Sequence, residues 1–356
     1  MKKIHGVRDY LRQDILRGYY KPGTYLPSVR SLAVRLKLSK SSIHNILKLL
    51  QEEGLVVLNP GRGALVLERR PGKTVLKRCF FRPSDYGYFN YLPLMTRLMS
   101  GIFAGAERKN VEVNASFSDS AGLTEEMLSA WSKGHIQGVL YGQCRNYEEL
   151  ILPLEKAGIP CVVADDTNGI PAVKCTCDYA AMTRAAIEYL HRYGHTRIAL
   201  LTGEPKQALY ADSIAAYRRT MKKLKLKAYP ELVIAQFQDN LASLMDLLSG
   251  RDAPTAFFTL RDYRARILYA AAACQRLRIP QDISVISFDD CTWPEAARIG
   301  LTTFRDPLEK LGENAVEMLQ QWVADGVRPE NRILMPELTE RGSVAAVRPE
   351  NEPLNI

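Results

Sequence analysis

Beyond residue 74 the sequence alternates short β-rich runs with segments whose apolar residues recur at helical spacing. The runs that read as strands form two series, 75–81, 111–117, 138–141 and 160–164, then 198–202, 232–235, 256–260 and 283–288. Strict alternation of strands and helices predicts parallel sheets covered by helices on both faces. Two series therefore predict a C-terminal α/β region built from two doubly wound parallel-sheet lobes.

In doubly wound sheets a ligand binds beyond the carboxyl ends of the strands, and between two lobes that position is a crevice. The side chains that follow the predicted strands include Asp85, Phe89, Tyr141, Asp165, Arg261 and Asp289. Phe89, Tyr141 and Tyr210 could stack on a sugar ring, although a single aromatic residue is more often part of a core. We expect these residues to line an effector site.

Residues 26–67 follow a different pattern. Apolar residues recur at helical spacing from Ile43 to Leu50, and Ser39 stands at an N-cap position, which predicts a helix over 40–53. The opposite face of this helix is polar and consists of Lys40, Ser41, Ser42, His44, Asn45 and Lys48. Short hydroxyl groups and a lysine at a positive helix end suit phosphate oxygens and base edges. An isolated amphipathic helix is more often an ordinary surface helix, so the neighbouring elements decide between the two readings.

Those neighbouring elements complete a recognisable unit. Upstream, Pro27 is placed to begin a helix, and a turn at 37–38 joins that helix to the one predicted over 40–53. An earlier helix over 7–15 is predicted to end at Gly18. Downstream, β-rich runs flank a tight turn and place Arg62 at a hairpin tip. The N-terminal region is thus predicted to be an α+β winged helix-turn-helix domain.

The charge of the chain is concentrated in the same region. Residues 1–74 hold 15 lysines and arginines against 5 acidic residues, whereas the remainder holds 33 against 34. A basic module attached to a nearly neutral body is typical of a nucleic-acid-binding segment.

The N-terminal region resembles the winged helix-turn-helix of GntR-type bacterial repressors. The matching motif reads Gly18-x4-Gly23-x2-Leu26-Pro27-Ser28-x-Arg30-x-Leu32-Ala33, then Ser39–His44, Glu53-Gly54-Leu55-Val56 and Gly61-x-Gly63. The resemblance implies DNA contacts at Arg30, Lys40, Ser41, Ser42, His44 and Arg62. The polar face of the recognition helix adds Asn45 to this set. The family often has arginine where this chain has His44, so the base preference at that position stays open.

The C-terminal region resembles the effector-binding domain of LacI/GalR-type regulators, which is similar to periplasmic sugar-binding proteins. The matching segments are His191-x2-Gly194-His195-x-Arg197-Ile198-Ala199, Pro254-Thr255-Ala256, Arg261-Asp262-x2-Ala265, 279–290 and Leu301-Thr302-Thr303. The resemblance implies that Asp289, and Asp165 at its own strand end, bind ligand hydroxyl groups. Arg261 replaces the usual asparagine, and Ser213 stands where a sugar-clamping arginine is common, so an anionic or differently oriented ligand stays open. A GntR-type head on a LacI-type body also occurs in the arabinose repressor of bacilli.

Other chemistry finds little support in the sequence. The seven cysteines are scattered without a Cys-x2-Cys pair, and Gly194 interrupts the helical spacing of His191 and His195, so neither set predicts a metal site. The neighbours in Asp165-Asp166 and in Asp289-Asp290 should point to opposite faces of a strand and thus not act as one acid–base pair. We expect no catalytic residues and no cofactor.

We predict a winged helix-turn-helix domain over 1–68, a linker over 69–74, a two-lobed effector-binding and dimerisation domain over 75–347 and a tail over 348–356. The expected function is a cytoplasmic, ligand-responsive transcription regulator, most simply a repressor. It would bind palindromic operator DNA as a homodimer, sense a sugar or related small metabolite, and make no contact with a membrane. The alternatives are a DNA-binding head on a body that senses no sugar or resembles an enzyme, such as a pyridoxal-phosphate aminotransferase, and a ligand-transport component.

Overall fold

The computed structural model of the protein describes residues 7–8, 10–12, 14–15, 19–52, 55–67, 76–84, 92–116, 122–235, 241–291 and 300–347. The chain divides into two compact units, Met1–Thr74 and Val75–Ile356. The predicted linker at 69–74 and the predicted tail at 348–356 lie outside the described residues. Within the described residues, no helix combines the length and the apolar composition needed to cross a bilayer.

The N-terminal unit is a winged helix-turn-helix, as predicted. Its elements are α1 (Val29–Leu36), α2 (Lys40–Glu52), β1 (Val56–Asn59) and β2 (Gly63–Val66), and the described residues within 7–15 are also helical. One core joins these pieces because Leu11, Leu32, Ile43 and Leu50 are all fully buried in a single cluster. The strands form an antiparallel hairpin in which Val56 pairs with Val66.

Two serines begin the helices of this unit. The hydroxyl of Ser28 accepts a hydrogen bond from the amide of Ser31 at 3.1 Å, and that of Ser39 accepts one from Ser42 at 3.1 Å. Each serine thereby satisfies an amide that a helix start leaves without a partner. The N-cap at Ser39 is confirmed, whereas Ser28 rather than Pro27 begins the preceding helix. The predicted helix end at Gly54 lies outside the described residues.

The C-terminal unit contains two lobes in which strands and helices alternate. The elements up to the first passage between lobes are β3 (Arg78–Ser84), α3 (Leu92–Arg108), β4 (Glu112–Ala115), α4 (Gly122–Ser132), β5 (Val139–Gln143), α5 (Tyr147–Leu150), α6 (Leu152–Lys156), β6 (Cys161–Ala164) and β7 (Val173–Cys177). They are followed by α7 (Tyr179–Arg192), β8 (Ile198–Leu201), α8 (Ala208–Lys223), β9 (Val233–Ile234), α9 (Leu241–Ser249), β10 (Ala256–Leu260), α10 (Asp262–Cys274), β11 (Ser284–Asp289), β12 (Thr302–Arg305), α11 (Leu308–Asp325), β13 (Arg332–Leu334) and β14 (Glu337–Thr339).

Each lobe is built on a six-stranded sheet. The first sheet has the order β13-β7-β6-β5-β3-β4 and is parallel throughout. The second has the order β14-β12-β11-β10-β8-β9 and is parallel except for the edge strand β14. The predicted pair of doubly wound parallel-sheet lobes is therefore confirmed.

The described residues pass between the lobes three times, which the sequence pattern did not reveal. The passages lie between β7 and α7, between β12 and α11, and between β13 and β14. Because α11 and β13 return to the first lobe, that lobe contains chain from both ends of this unit. The helix predicted over 147–157 is two short helices, and the one predicted from Ala265 begins at Asp262.

Helices α3 and α11 approach each other closely at two glycines. A Cβ atom on Gly101 would overlap the carbonyl oxygen of Glu309, and one on Gly312 would lie 2.6 Å from the amide nitrogen of Ile102. Side chains at these positions would push apart backbones that now touch. The contact fixes the helix that follows the second passage against the first lobe.

We expect Gly101→Ala to destabilise the C-terminal unit because the added methyl group has no space beside the Glu309 backbone. Overpacking of this kind costs about 1–3 kcal/mol, so urea unfolding should move to lower concentration by a corresponding amount. Gly250→Ala is the matched control, since its Cβ would meet its nearest atom at 3.5 Å. Equal stability of the two variants would contradict the close contact.

Candidate DNA interface and effector crevice

The residues predicted to contact DNA form an accessible set on the winged helix-turn-helix unit. Arg30, Lys40, Ser41, His44, Asn45 and Arg62 are exposed, and Ser42 is half-buried. The apolar face of α2 is packed in the core at the same time, with Ile43 and Ile46 fully buried. The two faces of this helix are thus separated as the sequence predicts.

The first turn of α2 carries a cluster of hydroxyl groups. The Oγ atom of Ser39 lies 2.9 Å from that of Ser41 and 2.8 Å from that of Ser42. These contacts hold short polar side chains at the positive end of the helix, beside exposed Lys40. Such an end can offer hydrogen bonds and positive charge to a phosphate group.

The wing tip has the geometry of a tight turn. The amide of Arg62 donates to the carbonyl of Asn59 at 3.1 Å, and Gly61 has a φ of 75°. Proline followed by glycine with positive φ is typical of a type II turn. The side-chain amide of Asn59 also donates to the Tyr25 hydroxyl at 3.1 Å. Arg62 is therefore exposed on a wing whose base is anchored.

The buried polar boundary between the lobes, which we call the crevice, contains an ion pair at the strand ends of the second sheet. Arg261 follows β10 and Asp289 ends β11, and an Nη1 atom of Arg261 lies 2.7 Å from an Oδ1 atom of Asp289. Their side chains are 3% and 4% exposed, so water contributes little to either charge. Both residues have positive φ, 90° and 128°, a backbone conformation that L-residues rarely adopt.

Asp165 brings the first lobe to this ion pair. It follows β6, and its carboxylate accepts hydrogen bonds from the Gln143 amide at 2.6 Å and from the Tyr179 hydroxyl at 3.3 Å. Gln143 ends β5 in the first lobe, while Tyr179 begins α7 in the second. A carboxylate of one lobe is therefore held partly by a side chain of the other.

Asp306 is a further buried carboxyl group at the second passage between the lobes. Its Oδ1 atom accepts a hydrogen bond from the Cys177 thiol at 3.3 Å. Arg97 on α3 donates to the backbone carbonyls of Asp306 and Asp289 at 2.5 and 3.2 Å and forms an ion pair with Glu309 at 2.9 Å. Arg97 thus joins the first lobe to both strand ends of the second.

Burial governs the acidity of these groups. It raises the pKa of Asp165, Asp289 and Asp306 above the usual carboxyl range, and the charge of Arg261 opposes that rise in all three. The pKa of Asp262 rises to about 7, because of burial and then because of the nearby charge of Asp289. Burial of Tyr210 acts to raise its pKa, but the positive charges of Arg261 and Arg264 together act more strongly. The pKa of Tyr210 is therefore lowered.

The two aspartate pairs of the sequence separate as predicted. Asp166 lies 2.6 Å from the Lys174 ammonium and accepts the amides of Asn168 and Gly169, whereas Asp165 faces the crevice residues. Asp290 pairs with Arg305 and Arg341 at 3.2 and 2.6 Å instead of joining Asp289. Neither pair has the arrangement of two carboxylates that flank one bond.

The other predicted effector residues have mixed placements. Tyr210 and Ser213 lie on the buried face of α8, with the Tyr210 hydroxyl 3.4 Å from an Arg264 nitrogen. The prediction that Tyr141 lines the crevice is wrong, because it lies inside β5 and donates to the Leu150 carbonyl at 3.1 Å within the outer core of the first lobe. Asp85 and Phe89 lie outside the described residues.

Sequence reasoning did not single out Gln143, Tyr179 and Asp306. Gln143 and Asp306 follow the rule that found Asp165 and Asp289, since each stands at a strand end. Finding them required correct ends for β5 and recognition of β12 as a strand. Tyr179 carries no comparable signal, because it begins a helix.

His195 and the cysteines are placed as parts of the packed structure. The ring of His195 contacts the Thr255 hydroxyl at 2.9 Å and the Ala345 carbonyl at 3.0 Å. All seven cysteines lie in the described residues as thiols rather than disulfides, and five of them are buried. In the described part of the chain, no group of three or more histidine, cysteine and acidic residues is arranged to hold a metal ion.

A small helix-turn-helix unit followed by two open parallel-sheet lobes is the architecture of a DNA-binding head on a binding-protein-like body. Residues 3–66 match the family described as bacterial regulatory proteins, gntR family. Residues 187–344 match the family described as periplasmic binding protein-like domain. The two matches lie in different parts of the chain, one in each compact unit.

Two curated relatives are transcriptional repressors. The chain is 32% identical over 164 residues to the HTH-type transcriptional repressor PurR of Vibrio atlanticus, covering 45% of this chain and 49% of that protein. It is 34% identical over 162 residues to the ribose operon repressor of Escherichia coli, covering 44% and 49%. The chain thus spans about half the length of these relatives.

A solved structure confirms the body fold. The regulatory protein of LacI family from Chloroflexus aggregans matches with a TM-score of 0.67 and 24% identity, over 75% of this chain and 98% of that one. At this identity the likeness establishes the shared fold.

Asp262 should make stability depend on pH. Because its folded pKa is about 7 and an unfolded aspartate titrates near 3.9, the folded state holds an extra proton between these values. Stability should therefore fall as pH rises through this window, by about 1.4 kcal/mol per pH unit for one proton. Urea unfolding at several pH values gives the dependence of the unfolding free energy on pH. In Asp262→Asn that dependence should be smaller by this amount. An unchanged slope would contradict the assignment.

Proposed function

We propose that this protein is a ligand-responsive transcription regulator, most simply a repressor, that binds palindromic operator DNA as a homodimer. A sugar or a related small metabolite bound in the crevice would control that binding. The observation that carries the proposal is the combination of a basic, exposed recognition face with a buried polar crevice in one chain. The repressor relatives support the same role.

The winged helix-turn-helix would bind DNA through two kinds of contact. Residues 40–45 would enter a major groove with the start of α2 and read base edges. Arg30 would hold the sugar–phosphate backbone, and Arg62 on the wing would reach a neighbouring groove or phosphate. This division predicts that some substitutions alter sequence preference while others weaken binding to all sequences.

The crevice would act as a switch through its contacts between lobes. Tyr179 with Asp165 and Cys177 with Asp306 are hydrogen-bonded pairs whose members come from different lobes. A ligand that joins the same groups would favour the closed arrangement over an open one. A ligand shifts such an equilibrium only by its difference in affinity for the two states, which is typically about 1–3 kcal/mol of coupling.

Arg62→Ala should weaken binding to every duplex, because it removes a charge that would neutralise phosphate. The slope of log affinity against log salt should become shallower by about 0.9 for each phosphate that is no longer neutralised. Fluorescence anisotropy with a selected operator and with unrelated DNA at several salt concentrations measures both effects. Arg218→Ala removes the same charge from an exposed position of the C-terminal unit and should bind as the parent does.

His44→Ala should behave differently from Arg62→Ala, because an exposed side chain at the start of the recognition helix would read bases. Selection from a random DNA library should return an altered consensus, with affinity for non-specific DNA nearly unchanged. An unaltered consensus would remove His44 from base recognition. If the parent chain binds no duplex at low salt, the proposed function itself is wrong.

Asp289→Asn should uncouple ligand from DNA. A thermal-shift screen of sugars, amino sugars, sugar acids and sugar phosphates would identify a ligand, which should then change operator affinity of the parent by about 5- to 150-fold. Asp289→Asn should keep operator affinity and lose most of that response, whereas Asp290→Asn should keep both, since Asp290 pairs with Arg305 and Arg341. A normal response in Asp289→Asn would exclude Asp289 from the site.

A further inference from the structure

Among the residues that the structure describes, the crevice holds more buried acid than buried base. Asp165, Asp262 and Asp289 are 2% exposed and Asp306 is 1% exposed, and the buried guanidinium groups beside them are those of Arg261 and Arg264 at 2% each. Lys174 pairs with Asp166 nearby, and Arg97, Arg305 and Arg341 share Glu309 and Asp290, which leaves one cation in excess in that partly exposed group. Among the described residues, four buried carboxyl groups therefore lie in the same region as two buried guanidinium groups.

Arg261 stands at the centre of this acid excess. It forms its ion pair with Asp289 of the second lobe, and its charge also acts on Asp165 of the first lobe and on Asp306 at the passage between them. Its φ of 90° places the side chain there at the expense of an unfavourable backbone. A single guanidinium in this position acts on acids of both lobes at once.

Two buried oxygen atoms in this region are left without a partner. The Oδ2 atom of Asp306 and the Oγ atom of Ser213 have no hydrogen-bond partner among the described residues, and their residues are 1% and 0% exposed. Ser213 follows Tyr210 by one helical turn on the buried face of α8, and the Tyr210 hydroxyl contacts Arg264. A buried acceptor without a donor is unfavourable, so a donor supplied by a ligand would stabilise it.

We propose that the crevice binds a cationic effector that carries an amine or guanidinium group, and that the Arg261 guanidinium takes the place of this cation in the absence of ligand. This inference rests on the proposed function and specifies its ligand. An anionic effector would add negative charge beside buried acids whose charged forms burial already disfavours, so its binding would be opposed. A neutral sugar would leave protons to neutralise these acids, whereas a cation with N–H donors would stabilise their charged forms and supply Asp306 with a donor.

Chemical rescue of Arg261→Gly tests the inference directly. Glycine accepts the positive φ of this position, so the substitution removes the guanidinium while relieving the backbone. Ethylguanidinium chloride at millimolar concentration should raise the melting temperature of this variant by about 5 °C relative to sodium chloride. Ethylurea has nearly the same shape without the charge and should have no effect. Arg276→Gly is the matched control, because Arg276 is exposed and also has positive φ, 56°.

A second substitution locates the bound cation. Adding Asp306→Asn to Arg261→Gly should weaken ethylguanidinium binding roughly tenfold, a loss of about 1.4 kcal/mol. If Arg261→Gly is unfolded alone, recovery of folded protein in ethylguanidinium but not in ethylurea supports the inference. On the parent chain, glucosamine should give a larger thermal shift than glucose or gluconate if any of the three binds.

Three outcomes would overturn the inference. They are equal effects of ethylguanidinium and ethylurea, no rescue by either, and a larger shift of the parent chain by gluconate or by magnesium chloride than by amines. Operator binding by the parent chain is measured separately. Failed rescue with intact operator binding defeats the cationic ligand alone, whereas absent operator binding defeats the proposed function.

Discussion

The ion pair between Arg261 and Asp289 is the interaction on which the crevice depends. Charges this deeply buried are tolerated only when a partner compensates the water they have lost, and removal of one member typically costs about 3–5 kcal/mol. The pair is made at the carboxyl ends of adjacent parallel strands, where the register of β10 and β11 sets the two residues side by side. The packing of the second sheet thus decides the electrostatics of the crevice.

The same geometry explains why polar groups from distant parts of the chain meet. Asp165, Asp289 and Asp306 each follow or end a strand, and the three strands belong to the sheets of two different lobes. Hydrogen bonds from Tyr179 and Cys177 and the contacts of Arg97 then join the lobes. The lobes are therefore linked by polar contacts that a ligand could strengthen or replace, which suits a receptor better than a rigid scaffold.

Much of this arrangement could be predicted from sequence. The alternation of runs predicts two parallel-sheet lobes, and strand ends identify Asp165, Arg261 and Asp289 without any coordinates. Tyr141 was misplaced because a strand buried on both faces gives no apolar–polar alternation from which the direction of a side chain can be read. Asp306 was missed because β12 was not recognised as a strand, and Tyr179 was missed because a residue that begins a helix carries no strand-end signal. In the winged helix-turn-helix unit, the N-cap at Ser39 could be predicted because capping depends only on residues that are close in sequence.

The return of α11 and β13 to the first lobe has a consequence for synthesis of the protein. Strand β13 pairs with β7, so the first sheet lacks its edge until residues 332–334 have left the ribosome. Before that point α3 also lacks α11, whose backbone it touches at Gly101 and Gly312. The winged helix-turn-helix, which draws its core from residues 7–67, has no such delay. A nascent chain can thus complete the core of its winged helix-turn-helix unit well before it completes the first lobe of the C-terminal unit.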